Sequence, residues 1–136
     1  TRRTILNTDG TAQCVFSNLT GSYYIVLKHR NALETWSASP VTFGNTSVSY
    51  DFTDAANKAF GANQVEVSPG VWALYTGDVF KDENIDILDF FQVEDDILKF
   101  SYGYFATDLN GDGNVDLLDK PILEMNMYNF IYSSHP

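Results

Sequence analysis

The sequence is short of several things that would narrow its role by their presence. It has one cysteine, Cys14, so no disulfide can form within the chain. Cys14 lies in an apolar stretch and is expected to be buried as a small hydrophobe. Its two histidines, His29 and His135, lie far apart and do not suggest a catalytic or zinc site. Positive charge is scarce: 8 Lys and Arg stand against 18 Asp and Glu, a formal net charge of −10. This balance argues against binding nucleic acid or an anionic membrane through a basic face. No apolar run approaches the roughly 18 residues that a membrane helix needs, so no membrane insertion is expected. The first residues contain no charged-then-apolar leader ending in small residues, so no signal peptide is expected in this stretch, as in a mature or excised chain. G-x-S-x-G, H-E-x-x-H, a phosphate-binding glycine loop and paired cysteines are all missing, which argues against catalysis.

What is present is enough apolar side chain to form a core. Hydrophobic residues make up 44% and aromatics 15% of 136 residues, a size that fits one ordinary domain or two small ones. The charge divides the chain unevenly. Residues 1–77 hold five basic and five acidic residues, whereas residues 78–136 hold three lysines and thirteen acids, and so the whole net charge. Two modules with different roles are expected, 1–76 and 77–136.

The first module reads as β structure. Ser22–Lys28 is rich in aromatic and β-branched residues, and Ser47–Phe52 alternates so that Val48, Tyr50 and Phe52 share one face. Shorter strand candidates are Thr4–Leu6, Gln13–Phe16, Glu34–Ser37, Val41–Phe43, Val65–Val67 and Val71–Tyr75, separated by turn pairs such as Asp9-Gly10 and Pro69-Gly70. Short strands at this spacing suggest a small β-sandwich of immunoglobulin-like or transthyretin-like type. Asp54–Phe60 is the exception, a short helical turn capped by Thr53 or Asp54.

The second module contains an internal repeat of about 30 residues. Its clearer copy is Asp108–Asp119, which reads D-x-N-x-D-G and then carries acids at positions nine and twelve. Calcium is a hard cation that takes six to eight oxygens at about 2.3–2.6 Å, and this spacing supplies them. Asp108, Asn110 and Asp112 occupy positions 1, 3 and 5, Asn114 offers a backbone carbonyl at 7, and Asp116 and Asp119 follow at 9 and 12. Gly113 stands where the backbone must turn sharply. Val115, at position 8, is expected to point inward and pair with its equivalent in a second loop. The earlier copy, Asp78–Asp89, keeps Asp78, Asp82, Asn84, Asp86 and Asp89, with Ile85 matching Val115. Phe80 replaces the position-3 ligand and Glu83 the turn glycine, which predicts a weaker site.

Helices should follow both loops. Asp89–Phe100 places Phe90, Val93, Ile97 and Phe100 on one face. Pro121 suits a first helical turn, and Ile122, Leu123 and Met125–Tyr128 would pack back on the first helix.

With these residues in view, Gly77–Asn129 resembles a type I dockerin, a pair of calcium-binding F-hand repeats in which each EF-hand-type loop precedes one helix. Both loops end in Asp, as in that family. The resemblance implies that calcium organises the fold, that the module is extracellular or on the cell surface, and that it docks onto a cohesin domain. Upstream, Tyr24–Arg30 and Glu34–Ser37 are similar to β-sandwich modules that precede such repeats in large secreted bacterial surface proteins. In dockerins, positions 10, 11, 17, 18 and 22 of each repeat meet the cohesin, often through small hydroxyl residues at 10 and 11. Here positions 10 and 11 are Ile87 and Leu88, then Leu117 and Leu118; positions 17, 18 and 22 are Glu94, Asp95 and Lys99, then Glu124, Met125 and Asn129. Neither set resembles a typical cohesin reader.

The expectation is a non-catalytic calcium-binding module that stabilises and attaches a larger secreted protein, by docking to a cohesin-like domain or a neighbouring module. Two ions would bring its formal charge from −10 to −6. The alternative is a carbohydrate-binding module with structural calcium, in which Trp36, Trp72, Tyr23 and Tyr24 form a flat aromatic platform. Exposure of the Ile87-Leu88 and Leu117-Leu118 pairs would mark a docking face, and burial would make them internal packing.

Overall fold

In the first half of the chain, strands form but do not join into one sheet. The computed structural model describes residues 1–136. Strands β1 (Gly21–Tyr23), β2 (Val26–Leu27), β3 (Thr35–Trp36), β4 (Val41–Phe43), β5 (Val65–Ser68) and β6 (Val71–Ala73) make three separate antiparallel pairs. β1 pairs with β4, β2 with β3 and β5 with β6, the last with an irregularity between Glu66 and Ser68. The β-sandwich expected from strand spacing is thus not formed.

Side chains take over where ladders were expected to continue. The predicted strand Ser22–Lys28 divides into β1 and β2, which pair with different partners. At the break, the Ile25 N–H donates to the Ser37 hydroxyl oxygen (3.0 Å), while the Ser37 N–H donates to the Ile25 carbonyl (2.8 Å). The Ser47–Phe52 stretch forms no strand. Tyr50 acts as a strut instead: its hydroxyl donates to the Lys58 carbonyl at 2.6 Å and accepts from the Ala38 N–H at 3.2 Å. Its ring packs edge-to-face on buried Phe52, with centroids 4.8 Å apart. The helical turn expected at Asp54–Phe60 appears as two 3-10 turns, Ala56–Lys58 and Phe60–Ala62. Neither Thr53 nor Asp54 caps the first, which begins at Ala55 without a side-chain bond; Asp54 faces Lys58 at 3.4 Å.

Residues 1–18 form an exposed arm rather than strands. It doubles back through Asn7 N–H to Thr11 carbonyl (2.8 Å) and Thr4 hydroxyl to Gln13 carbonyl (2.7 Å). Cys14 rides on this arm and is exposed, contrary to the expected burial. An apolar local sequence does not bury a residue when no element packs over it.

The second half holds two helices, α1 (Ile87–Leu98) and α2 (Lys120–Tyr128), packed on each other. α1 starts two residues earlier than its periodicity suggests, because Asp86 caps it and forms a reciprocal capping box with Asp89. α2 starts three residues later than the repeat would place it. Pro121 stands where Phe91 stands in α1 and has no N–H to offer the Leu117 carbonyl. Both helices end alike. Phe100 and Phe130 adopt left-handed φ values of 54° and 53°, and their N–H groups donate to Ile97 and Met127 carbonyls at 3.0 Å. The next residues, Ser101 and Ile131, reach back to Asp96 and Asn126 at 3.0 and 3.2 Å, which completes a Schellman turn in each repeat. Phe100 is therefore swung out to solvent rather than packed on the face of α1, and Ile122, Met125 and Tyr128 of α2 are also exposed. Leu123, Asn126 and Met127 are the inward residues of that helix.

The main core consists of Leu33, Val79, Ile85, Val93, Leu109 and Leu123, with Tyr75, Phe90, Ile97, Ala106 and Ile131 packed around it. Leu33 is fully buried and reaches this core from the first half of the chain. Gly77 makes close packing there feasible: at φ 132°, an added Cβ would lie 2.9 Å from Ile85 and 3.0 Å from Leu123. Lys120 ties α2 to α1, with its Nζ 2.8 Å from Glu94 and 4.4 Å above the Phe90 ring.

Candidate metal-binding loops

The two acidic loops, Asp78–Asp89 and Asp108–Asp119, share their closing bonds at an offset of thirty. The Asp89 carboxylate accepts three backbone N–H groups, those of Val79 (2.8 Å), Phe80 (2.9 Å) and Asp86 (2.9 Å). Asp119 accepts the N–H groups of Leu109 (2.7 Å), Asn110 (3.0 Å) and Asp116 (2.9 Å). Both carboxylates are fully buried. Each closes its loop by joining the first turn to the last. The first residues match as well: Asp78 accepts from Lys81 N–H at 2.7 Å, and Asp108 from Gly111 N–H at 2.8 Å. At position nine, Asp86 and Asp116 accept from Leu88 and Leu118 N–H groups, both at 2.8 Å.

The backbone path is shared even where the residues differ. Gly111 and Gly113 have φ of 81° and 87°; Lys81 and Glu83 hold 64° and 71° in the other loop. The left-handed region is disfavoured by about 1–2 kcal/mol for a residue with a Cβ. The Asp78–Asp89 loop thus keeps its shape at a cost that the second loop avoids.

Position-8 residues do not pair with one another, as the sequence suggested, but crosswise with the segment that follows the other repeat's helix. Ile85 N–H donates to the Ile131 carbonyl (3.0 Å), after α2, and Val115 N–H to the Ser101 carbonyl (2.9 Å), after α1. The bridges Asn84–Tyr132 and Tyr102–Asn114 flank these bonds. Each loop is therefore braced by the other repeat.

The donor chemistry suits a hard cation. Every candidate side chain offers oxygen, and neither sulfur nor imidazole is among them. No three acidic side chains stand converged as a preformed cage. Asp82 and Asp112 accept from Asn84 and Asn114 N–H groups at 3.2 and 2.8 Å, and the carboxylates keep lone pairs beyond those taken by the backbone. Burial is the largest influence on Asp78 and Asp89 and holds both carboxyls above the ordinary Asp value; in Asp89 the backbone N–H bonds pull the other way. Asp112 lies lower than usual, because the Asn114 N–H and the Asn110 amide donate to it. Desolvated acids that resist ionisation gain from a nearby cation. Phe80 brings no oxygen to position 3 and is exposed rather than packed.

This pair of loops with one helix each has a counterpart among known families. Residues 76–127 match the dockerin type I domain. No curated protein and no solved structure matches the chain. Dockerin domains are non-catalytic attachment modules that in general bind calcium and cohesin partners, and the match supports a protein partner. They occur in secreted or cell-surface proteins, and no helix here is long and apolar enough to cross a membrane. The match takes in the dockerin-like repeats and leaves the β pairs outside it.

The dockerin-like repeats carry apolar side chains on their outer surface. Ile87 and Leu88 are 48% and 44% exposed, and Leu117 and Leu118 are 69% and 65% exposed, so neither pair is internal packing. Tyr24 and Trp36, two of the four residues expected in an aromatic platform, do not lie flat together. Tyr24 meets Trp36 and Phe60 edge-on at 62° and 77°, and Trp36 faces His135 with its indole N–H bonded to Glu34 at 2.8 Å.

Sequence reading missed a set of residues that fasten the dockerin-like repeats to the β half. Asn31, Lys81 and Ser133 form such bonds: the Asn31 amide donates to the Asp108 carbonyl (3.0 Å), Lys81 Nζ to the Ala32 carbonyl (2.9 Å) and the Ser133 hydroxyl to the Glu34 carbonyl (2.8 Å). Arg30 Nη2 lies 3.6 Å from an Asp108 carboxylate oxygen. Asn31–Leu33 falls between the two stretches that carried a strand or family signal, so nothing local marks it.

Proposed function

We propose that residues 77–136 form a calcium-organised attachment module, preceded by a β module in residues 1–76 that holds it in a fixed orientation on a larger secreted or surface protein. Asp108, Asn110, Asp112, Asn114, Asp116 and Asp119 would hold one ion. Asp78, Asp82, Asn84, Asp86 and Asp89 would hold a second, weaker one that lacks the position-3 oxygen. One observation carries this reading: two acidic loops with the same closing carboxylate, buried and bonded to three backbone N–H groups in each. Acids buried in this way repel one another, and two calcium ions would offset that repulsion, so that binding and folding are coupled.

Attachment would use the exposed pairs Ile87-Leu88 and Leu117-Leu118, docking a cohesin-like domain or a neighbouring module by burial of apolar surface. The departure from small hydroxyl residues at these positions points to a partner with an apolar docking face. The test is a thermal melt of the full chain with calcium, with excess chelator and with magnesium. A large fall in melting temperature under chelator, reversed by calcium and not by magnesium, is expected. Identical melts of metal-stripped and calcium-loaded protein would overturn the reading.

A further inference from the structure

The second loop does not stand free of the β half, and its first ligand position is the point of attachment. Asn31 is 5% exposed and joins three parts of the molecule. Its amide NH2 donates to the Asp108 carbonyl at 3.0 Å, its side-chain oxygen lies 2.9 Å from His29 Nδ1, and its backbone carbonyl accepts the Gly77 N–H at 2.7 Å. Beside it, Arg30 spreads its guanidinium 4.5 Å above the Tyr104 ring, with Nη2 3.6 Å from an Asp108 carboxylate oxygen. At that distance the contact is a charge interaction rather than a directed hydrogen bond. Arg30 Nη1 is buried with no partner, so the group is held in place by its surroundings more than by its own bonds.

The other loop is arranged differently. The cation that acts on Asp78 is Lys81, from the same loop, whose Nζ donates to the Ala32 carbonyl. Only the second loop has both its first backbone carbonyl and its first carboxylate addressed from the β half by side chains of consecutive residues.

We propose that Arg30 and Asn31 are positioning residues of the Asp108–Asp119 loop, and that they set its calcium affinity in opposite directions; this rests on the calcium reading given above. Asn31 fixes the carbonyl of Asp108 and so holds the loop entrance in place before an ion arrives. Without that bond, the loop must be ordered by the ion itself, and affinity falls. Arg30 supplies positive charge to Asp108 when no ion is bound and competes for the same carboxylate when one arrives. Without that charge, the metal-free loop is destabilised while the loaded loop is relieved, and affinity rises. Linkage requires the reverse effects too: calcium must strengthen the Asn31 bond to the Asp108 carbonyl and weaken the Arg30 contact with the Asp108 carboxylate.

The experiment is a calcium chloride titration of the chelator-stripped 136-residue chain, followed by the backbone amide resonances of Gly113 for one loop and Glu83 for the other. Loss of one buried hydrogen bond predicts that Asn31→Ala raises the half-saturation of Gly113 about fivefold and leaves Glu83 within about twofold. Arg30→Gln should lower the Gly113 half-saturation about threefold. Calcium should also slow hydrogen exchange at Gly77, whose amide is held by the Asn31 carbonyl. Equal shifts at both amides, or unchanged half-saturation in both variants, would overturn the proposal while leaving calcium binding intact. A wild-type Gly113 resonance indifferent to calcium would overturn the calcium reading and this proposal together. If Asn31→Ala does not fold, the Arg30→Gln shift decides alone, because a merely structural role would not tighten calcium binding.

Discussion

The two loops of the dockerin-like repeats follow one backbone path with two different sets of residues. Asp108–Asp119 has glycine at both left-handed positions and an oxygen at every ligand position of its pattern. Asp78–Asp89 keeps the same closing bonds from Asp89, yet places Lys81 and Glu83 in the left-handed region and Phe80 where Asn110 stands. The difference separates two properties that a motif search merges. Loop shape is imposed by the buried closing carboxylate and by the crosswise bonds from the other repeat, and it survives poor local residues. Ligand supply depends on each side chain and does not.

That separation is open to attack from several directions. The strongest is the closing carboxylate: Asp119→Ala and Asp89→Ala each leave three backbone N–H groups without an acceptor. Both should lose about 3–5 kcal/mol in denaturant unfolding under chelator, and by similar amounts. A small loss in either would mean that the shape is held elsewhere. Gly77→Ala comes next, with about 2–3 kcal/mol expected from contact with Ile85 and Leu123 and from its φ of 132°. Its counterpart Thr107→Ala, which removes the 2.6 Å bond to Asp96, should cost about 1 kcal/mol.

Two substitutions should bring the loops together. Phe80→Asn gives the first loop a position-3 oxygen, and because Phe80 is exposed the change removes little packing. Calcium affinity at that loop should rise about tenfold by calorimetry, with the melting temperature under chelator nearly unchanged. Glu83→Gly should stabilise the protein by about 1 kcal/mol even without metal, by releasing the left-handed strain. If Phe80→Asn altered the chelated melt as much as the calcium titration, shape and ligand supply would not be separable.

Much of the dockerin-like half was legible in the linear sequence. The acidic spacing marked both loops, Pro121 marked the first turn of α2, and the apolar periodicity marked α1. Helix ends were less legible. The capping box of Asp86 and the left-handed turns at Phe100 and Phe130 depend on bonds made after the helix has formed, and they turned Phe100 outward despite its place in the apolar pattern. The β half was read with the correct chemistry and the wrong assembly. Aromatic and β-branched runs identified strand residues, but a ladder also needs a partner in register. Ser37 and Tyr50 instead took the bonds that a longer sheet would have used.

Local chemistry and spacing are enough to say which residues carry oxygen, where the chain turns, and that the acidic half repeats at thirty residues. Folding is what brings Leu33 into the core beside Val79 and Leu123, braces each loop with the other repeat, and carries Asn31 and Arg30 to Asp108. Such contacts join residues dozens of positions apart. Their energy comes from burial and from hydrogen bonds closed across the fold, and no local pattern records them.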